Sequence, residues 1–145
     1  MYNLDPPYRA LADLVQKGRS DASEIFWQTA LKREIDHLAG LTAIDGATLI
    51  SADFALLAFG AKTSRANSSE HIQEVLFAEP ISGGEPKVIH PAKIGGTRHL
   101  SAAQFVFDQK DAHALVASQD GHFTIYSWSE SFQMVQAYQI DMLLL

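Results

Sequence analysis

The sequence feature that most constrains this chain is the stretch 94–103, in which two consecutive glycines are followed by a threonine, an arginine and a histidine. Consecutive glycines are typical of a turn where the backbone takes a positive φ or approaches another group closely. Thr97 is a favourable N-cap, so the sequence predicts that a helix begins here. The residues that recur at helical spacing are Leu100, Ala103, Gln104 and Phe107.

The first turn of this predicted helix carries Arg98 and His99. The N–H groups and the positive dipole end of a helix favour anions, and an arginine adds a fork of donors matched to phosphate. Helix stability alone would favour Asp or Glu at this position, because a cation opposes the dipole. The pattern therefore indicates a site for an anionic ligand. The alternative is a Gly-Gly loop with a surface arginine and an ordinary hydrogen-bonded histidine.

Two further motifs lie on either side of this stretch. Residues 44–50 read Ile-Asp-Gly-Ala-Thr-Leu-Ile, and residues 114–121 read Ala-Leu-Val-Ala-Ser-Gln-Asp-Gly. With residues 96–102 (Gly-Thr-Arg-His-Leu-Ser-Ala) between them, they resemble three elements of diadenylate cyclase (DAC) domains in family order. Those elements are the Asp-Gly-Ala motif, the phosphate-binding motif, and the strand and turn that close the nucleotide site. The resemblance covers residues 45–128 and is closest to the DAC-like sensor branch labelled DACNV.

The resemblance implies a role for each motif. Asp45 corresponds to the family's metal ligand, which holds Mg²⁺ or Mn²⁺ and helps to activate the ribose 3′ hydroxyl, and Arg98 and His99 correspond to phosphate contacts. Gly46 and Ala47 leave the backbone open to a ligand. On the residues alone, a plain turn is the favoured interpretation of the Asp-Gly pairs at 45–46 and 120–121. The full expected nucleotide-binding set is Asp45, Gly46, Ala47, Gly96, Thr97, Arg98, His99, Ser101, Ser118 and Asp120, with Asp45 as the metal ligand and, in an active enzyme, the catalytic residue.

The chain departs from the cyclases at two places. Their phosphate motif reads Arg-His-Arg, whereas this chain has Leu100 at the third position, and an aliphatic side chain makes no charge-assisted hydrogen bond. The cyclases also commonly have Ser followed by two acidic residues, where this chain reads Ser-Gln-Asp at 118–120. The leading hypothesis is a nucleotide-binding sensor or regulatory domain that binds an adenine nucleotide or a cyclic dinucleotide. The alternatives are an active diadenylate cyclase, making cyclic di-AMP from two ATP molecules across a homodimer, and an interaction module with an empty site.

Composition narrows the expected ligands and compartment. The 145 residues carry a formal net charge of −6 without a basic cluster, so a small phosphorylated ligand is expected and a polynucleotide is not. The chain has no cysteine, and its six histidines lack metal-ligand spacing, which argues against disulfides and a zinc site. No apolar run of about eighteen residues is present and the N-terminus lacks a signal-peptide pattern. We therefore expect a cytoplasmic protein that does not enter a membrane.

Periodicity predicts an α+β or α/β fold with a mixed sheet, in one domain over residues 1–145. The resemblance to DAC domains likewise implies a mixed sheet flanked by helices. Helices are predicted at 5–17 and 20–40, within an N-terminal helical part (1–40) that precedes the motif-bearing sheet (45–145). Gly40 is the expected end of the second helix. The residues predicted to form one buried face of that helix are Trp27, Leu31, Ile35 and Leu38.

The sheet is predicted from short apolar or alternating segments. A hairpin is expected from strands 47–50 and 54–61, the second of which is apolar on both faces and so expected at the centre of a sheet. The Asp-Gly pair at 120–121 predicts a tight turn between two later strands. The remaining strands are predicted at 113–118, 122–128 and from Phe132 onward, with a short strand at 87–90 within a mostly loop segment. Residues 74–78 fit either a strand or a helix, and we favour the strand.

Overall fold

The computed structural model describes residues 22–53, 55–79, 84–118 and 121–141, and it confirms the α+β class. By internal packing the chain divides into two compact units, Met1–Thr63 and Ser64–Leu145. The helix predicted at 5–17 and the site residue Asp120 lie outside the described residues. In the part of the chain that is described, neither helix combines the length and apolar character that crossing a bilayer requires. The helices are α1 (Ala22–Thr42) and α2 (Thr97–Asp108), and the strands are β1 (Ala47–Ile50), β2 (Leu56–Ala61), β3 (Val75–Ala78), β4 (Lys87–Ile89), β5 (His113–Ala117), β6 (His122–Ser129) and β7 (Met134–Asp141).

Helix α1 of the first unit differs from its prediction in two respects. It continues past Gly40 to Thr42, whose hydroxyl donates to the Ala39 carbonyl at 2.7 Å, because an isolated glycine costs a helix only about 1 kcal/mol. Leu38 is buried, but Ile35 is 50% exposed, so the predicted buried face is wrong at that position. Leu31 and Leu38 of the predicted face are covered, as are Ala30, Glu34 and Leu41.

The predicted hairpin of β1 and β2 is confirmed, but its place in the fold is not the expected one. The strands pair antiparallel, with Ala47 opposite Ala61 and Ile50 opposite Leu56. Within the described residues β2 has β1 as its only partner, and Leu57 and Phe59 are 59% and 53% exposed. The expectation of a central strand is therefore wrong. An apolar run shows that a strand could be buried on both faces, and only the pairing decides whether it is.

The second unit contains a five-stranded mixed sheet in the order β4-β3-β7-β6-β5. Strands β3 and β7 run parallel, with Phe77 opposite Ala137, and every other neighbouring pair is antiparallel. Helix α2 packs against this sheet. The core between them consists of Ile72, Val75, Ala103, Val106, Val116, Tyr126, Val135 and Ala137.

Helix α2 begins at Thr97 as predicted, but its cap and its buried face are shifted. Gly96 is the N-cap, with φ −74° and ψ −156°, and it offers no side-chain cap, so Thr97 is the first helical residue. The buried face carries His99, Ala103 and Val106, whereas Leu100 is 37% exposed. The prediction of Leu100 in the apolar stripe is therefore wrong, because the helix turns His99 toward the sheet.

A polar network fastens the segment before β3 to helix α2. The Gln104 side chain, which is buried, accepts from the Ile72 N–H at 2.9 Å and donates to the Glu70 carbonyl at 3.0 Å. Asp108 accepts from the Ala66 N–H at 2.8 Å and from the Ser69 hydroxyl. These bonds hold α2 in one position on the sheet, which in turn places the start of the helix.

The later strands agree with the sequence pattern. Strands β5 and β6 form a hairpin that is closed by the Ser118 N–H donating to the His122 carbonyl at 2.8 Å, and Gly121 has the positive φ of 84° that a tight turn requires. The last strand is confirmed from Met134 onward. Its buried side chains are Val135 and Ala137, which lie between the apolar positions that marked the strand.

Candidate functional site

An open cleft of about 390 Å³ lies in the second unit, where the start of α2 faces the end of β5. Its volume falls within the range of small-molecule sites, about 300–1,000 Å³. The cleft brings the glycine-rich stretch together with the strand end that contains Ser118, as the three-motif hypothesis requires of these two motifs. The lining residues are Ile94, Gly95, Gly96, Thr97, Arg98, His99, Val116, Ala117 and Ser118.

The chain enters the cleft through a short 3-10 turn, Pro91–Lys93. His90 caps this turn, its ring nitrogen accepting from the Ala92 N–H at 3.1 Å, and Pro91 is buried beneath it. The turn is thereby anchored to the core, and it delivers the two glycines to the start of α2.

Packing requires a glycine at position 95 but not at position 96. A side chain at Gly95 would collide with the His99 ring, so position 95 shows the close approach that the sequence predicts. Gly96 has a negative φ, and a side chain there would point into open space. Neither backbone geometry nor packing within the described residues requires glycine at position 96, which leaves bare backbone at the cleft.

The start of α2 presents hydrogen-bond donors and one cation. The N–H groups of His99 and Leu100 both donate to the Gly96 carbonyl, at 3.1 and 3.3 Å. The N–H groups of Thr97 and Arg98 precede the first full helical turn and so have no intrahelical acceptor. Arg98 is exposed, and no ion pair in the described ranges involves it. The positive helix end and the guanidinium therefore act in the same direction, both favouring an anion.

His99 lines the cleft but also belongs to the core. It is 6% exposed, and its Nδ1 lies 2.9 Å from the hydroxyl of Tyr126, with the two rings edge to face at 68°. Burial lowers the pKa of the His99 imidazole, because desolvation disfavours the charged form. His99 is therefore neutral near pH 7 and adds no second charge to the cleft.

The remaining predicted residues are placed as follows. Ser118 lies on the cleft wall, at the end of β5. Ser101 is half-buried in α2 and is not among the lining residues, so the structure does not bring it to this cleft.

Asp45, Gly46 and Ala47 belong to the first unit, at the start of the β1–β2 hairpin. Asp45 is exposed, as its sequence pattern allows. Gly46 has a φ of 121° and packs against the backbone of Gly60, where a Cβ would lie 2.5 Å from the Gly60 carbonyl carbon. The expectation that Gly46 leaves its backbone open is thus wrong on that side, and the hairpin itself explains this glycine. Among the described residues no group of three acidic or histidine side chains could hold a metal ion.

The expected binding set lacks five contributors: Ile94, Gly95, Val116 and Ala117, which line the cleft, and Tyr126, which contacts His99. Val116 and Ala117 read as ordinary strand residues, and Tyr126 follows Phe123 and Ile125 on a strand whose apolar residues suggest the opposite face as the buried one. The sequence gives only a weak signal for Tyr126, which lies two residues after Thr124 on β6. The structure shows that both of these side chains are fully buried.

Comparison with protein-family models, with curated proteins and with solved structures finds no match to this chain. We therefore infer the function from the chemistry of the cleft. Its described lining residues supply backbone N–H donors, a guanidinium, an imidazole and the hydroxyls of Thr97 and Ser118, but no carboxylate. Such a surface suits an oxyanion.

Proposed function

We propose that this protein is a sensor or regulatory domain that binds an adenine nucleotide or a cyclic dinucleotide through the cleft at the start of α2. One observation carries the proposal. The uncovered backbone at Gly96, the helix start and the guanidinium of Arg98, which has no ion pair among the described residues, converge on a cleft large enough for a small phosphorylated molecule.

The choice of an anion rests on electrostatics. A helix N-terminus carries roughly half a positive charge, and an arginine fork pairs with phosphate oxygens through charge-assisted bonds. In a protein whose formal net charge is −6, a locally positive cleft would select small anions by close contact rather than by long-range attraction. A phosphate group fits these donors.

The choice of a nucleotide rests on the resemblance to DAC domains, with its three motifs in family order. The charge of the cleft then favours some nucleotides over others. Among the described lining residues Arg98 is the one that carries a full charge. A single positive charge matches a phosphodiester, which has one negative charge for each phosphate, better than it matches a triphosphate. We therefore favour a cyclic dinucleotide such as cyclic di-AMP over ATP.

We expect a divalent cation to bind only if the ligand is a triphosphate. Mg²⁺ is commonly held by one or two carboxylates together with substrate phosphates, and the resemblance assigns Asp45 to that role. Mg²⁺ or Mn²⁺ would then arrive with the nucleotide, and the exposed Asp45 would supply one carboxylate. A homodimer is required by the cyclase alternative and not by the sensor.

Isothermal titration calorimetry tests the proposal, with cyclic di-AMP, AMP, ATP and, as a phosphate-free control, adenosine. We expect binding of the phosphorylated ligands and a loss of about 1.5–3 kcal/mol in Arg98→Ala, which is about 10- to 100-fold in affinity. Its thermal stability should hardly change, since an exposed cation at a helix start contributes little.

Arg33→Ala is the matched control, because it removes the same side chain from an exposed position on α1. It should bind like the wild type. Equal affinities for the wild type and Arg98→Ala would remove Arg98 from the site, and absence of binding by every phosphorylated ligand would favour the interaction module.

A further inference from the structure

Beneath the cleft, Tyr126 and His99 form a buried polar pair that the anion-binding residues do not explain. Tyr126 lies on β6 with no exposed surface, and in the described part of the chain its hydroxyl has a single hydrogen-bond partner, the Nδ1 of His99 at 2.9 Å. The opposite edge of the imidazole lies against Gly95, where Nε2 is 2.7 Å from the Cβ position of that glycine. Gly95 and His99 both line the cleft. Within the same residues, Nε2 has no protein partner.

The protons of this pair follow from burial. Desolvation raises the pKa of the Tyr126 hydroxyl and lowers the pKa of the His99 imidazole, so near neutral pH the phenol keeps its proton and the imidazole is uncharged. A neutral imidazole carries its proton on Nδ1 or on Nε2. If Nδ1 carried it, the Tyr126 O–H would be a buried donor without an acceptor, which is costly. If Nε2 carries it, the Tyr126 O–H donates to Nδ1, and the Nε2–H is left at the cleft, where a ligand or water can accept from it.

We propose that Tyr126 is a positioning residue, whose hydroxyl holds His99 in the tautomer that directs a neutral Nε2–H donor into the cleft. For its ligand this inference rests on the proposed function. The imidazole then donates one hydrogen bond to a ligand oxygen, and Arg98 supplies the charge. The fully buried position of Tyr126 and the contact of the ring with Gly95 fix the direction of that donor before any ligand arrives.

Nitrogen-15 NMR of the imidazole in the free, full-length protein tests the tautomer without any ligand. At about pH 7, where an unperturbed imidazole is mostly neutral, we expect the Nε2–H pattern for His99 in the wild type. Tyr126→Phe, which removes only the hydroxyl, should shift the ring toward a mixture of tautomers. Affinity for cyclic di-AMP should fall about three- to tenfold, the worth of one neutral hydrogen bond.

Tyr138→Phe is the matched control, since Tyr138 is exposed on β7 and its hydroxyl donates to the Gln136 side chain at 2.9 Å. It should alter neither the His99 signals nor the affinity. His99→Gln, which keeps a neutral side-chain donor, should retain more affinity than His99→Phe.

The outcomes separate the two proposals. An Nδ1–H or charged imidazole in the wild type, or unchanged tautomer and affinity in Tyr126→Phe, would overturn the role of Tyr126. Absence of binding by any phosphorylated ligand, with the Nε2–H tautomer present, would defeat the proposed function and leave the tautomer assignment standing. The wild-type spectrum alone can contradict the tautomer assignment. The inference therefore stays testable even if Tyr126→Phe folds poorly.

Discussion

The imidazole of His99 occupies the space that any side chain at position 95 would need. The Nε2 atom lies 2.7 Å from the Cβ position of Gly95, which is far inside a normal contact. Because His99 is also hydrogen-bonded to Tyr126, the ring is held from behind and has little freedom to yield. The glycine at 95 is thus part of the packing that shapes the cleft.

Gly95→Ala should therefore destabilise the protein. Overpacking a rigid contact typically costs about 1–3 kcal/mol, which urea denaturation monitored by circular dichroism would measure. The neighbouring Gly96→Ser is the control, because a side chain there meets open space and serine is a favoured N-cap. Its free energy of unfolding should rise by a few tenths of a kcal/mol. A neutral Gly95→Ala would mean that His99 moves away easily.

Position 96 also allows charge and shape to be separated at the cleft. Gly96→Asp and Gly96→Asn both supply a favourable N-cap, so each should stabilise α2 slightly. Only the aspartate places a negative charge where we expect the phosphate. Repulsion between like charges at about 4 Å is worth about 1–4 kcal/mol, so calorimetry should show affinity at least about fivefold lower for the aspartate variant than for the asparagine variant. Equal affinities would place the anion elsewhere.

Gln104 should be a stability residue with no part in ligand binding. Gln104→Leu leaves the buried Ile72 N–H without its acceptor, and we expect a loss of about 1–3 kcal/mol in the free energy of unfolding. Gln109→Leu, at the exposed C-cap of the same helix, should stay within about 0.5 kcal/mol of the wild type. A stable Gln104→Leu protein would show that water replaces the amide at Ile72.

His99 should make stability fall in mild acid. Burial lowers the pKa of the folded imidazole below its unfolded value of about 6.5, so below that pH the unfolded state binds more protons. The stabilisation is complete above the unfolded pKa and is lost as pH falls through it toward the folded pKa. Denaturant titrations between about pH 8 and pH 5 should show this slope, and His99→Gln should lose part of it.

The more acidic part of the stability profile has a different origin. Asp108 acts in a more acidic range: partial burial raises the pKa of its carboxyl, but hydrogen bonds from Ser69, Ala66 and Gln104 and the charge of Arg65 outweigh burial and lower the pKa overall. Its contribution is lost only as pH falls below about 4. An unchanged slope in His99→Gln would mean that His99 protonates freely in the folded state.

Catalysis should be absent or very slow. A cyclase neutralises the phosphates of two nucleotides, and this chain has Leu100 where the family it resembles has a second arginine. Losing one such contact typically costs about 10²–10³ in rate, so chromatography should find little or no cyclic di-AMP from ATP and Mn²⁺. Leu100→Arg is the informative comparison, because position 100 is exposed and can accept a longer side chain. Robust turnover by a dimeric wild type would establish the cyclase instead.

Local signals determined much of the second unit. The Gly-Gly-Thr stretch and the apolar spacing after it are short-range features, and α2 begins where they predict. The Gly121 turn joins β5 to β6 for the same reason, since its positive φ is a property of a few adjacent residues. That Arg98 and Ser118 would lie in one cleft was also predicted, but only from the resemblance to DAC domains.

Tertiary structure decided what these elements bury and what they leave open. The parallel pairing of β3 with β7 joins residues about 60 positions apart, and no local pattern encodes such a register. The same packing turns His99 inward onto Tyr126 and leaves Leu100 at the surface, although leucine is the more apolar residue. It also makes Gly95 a packing requirement and leaves Gly96 free of one. The sequence could single out the residues at the start of α2, but the direction of each side chain depends on contacts between distant segments, which exist only in the folded chain.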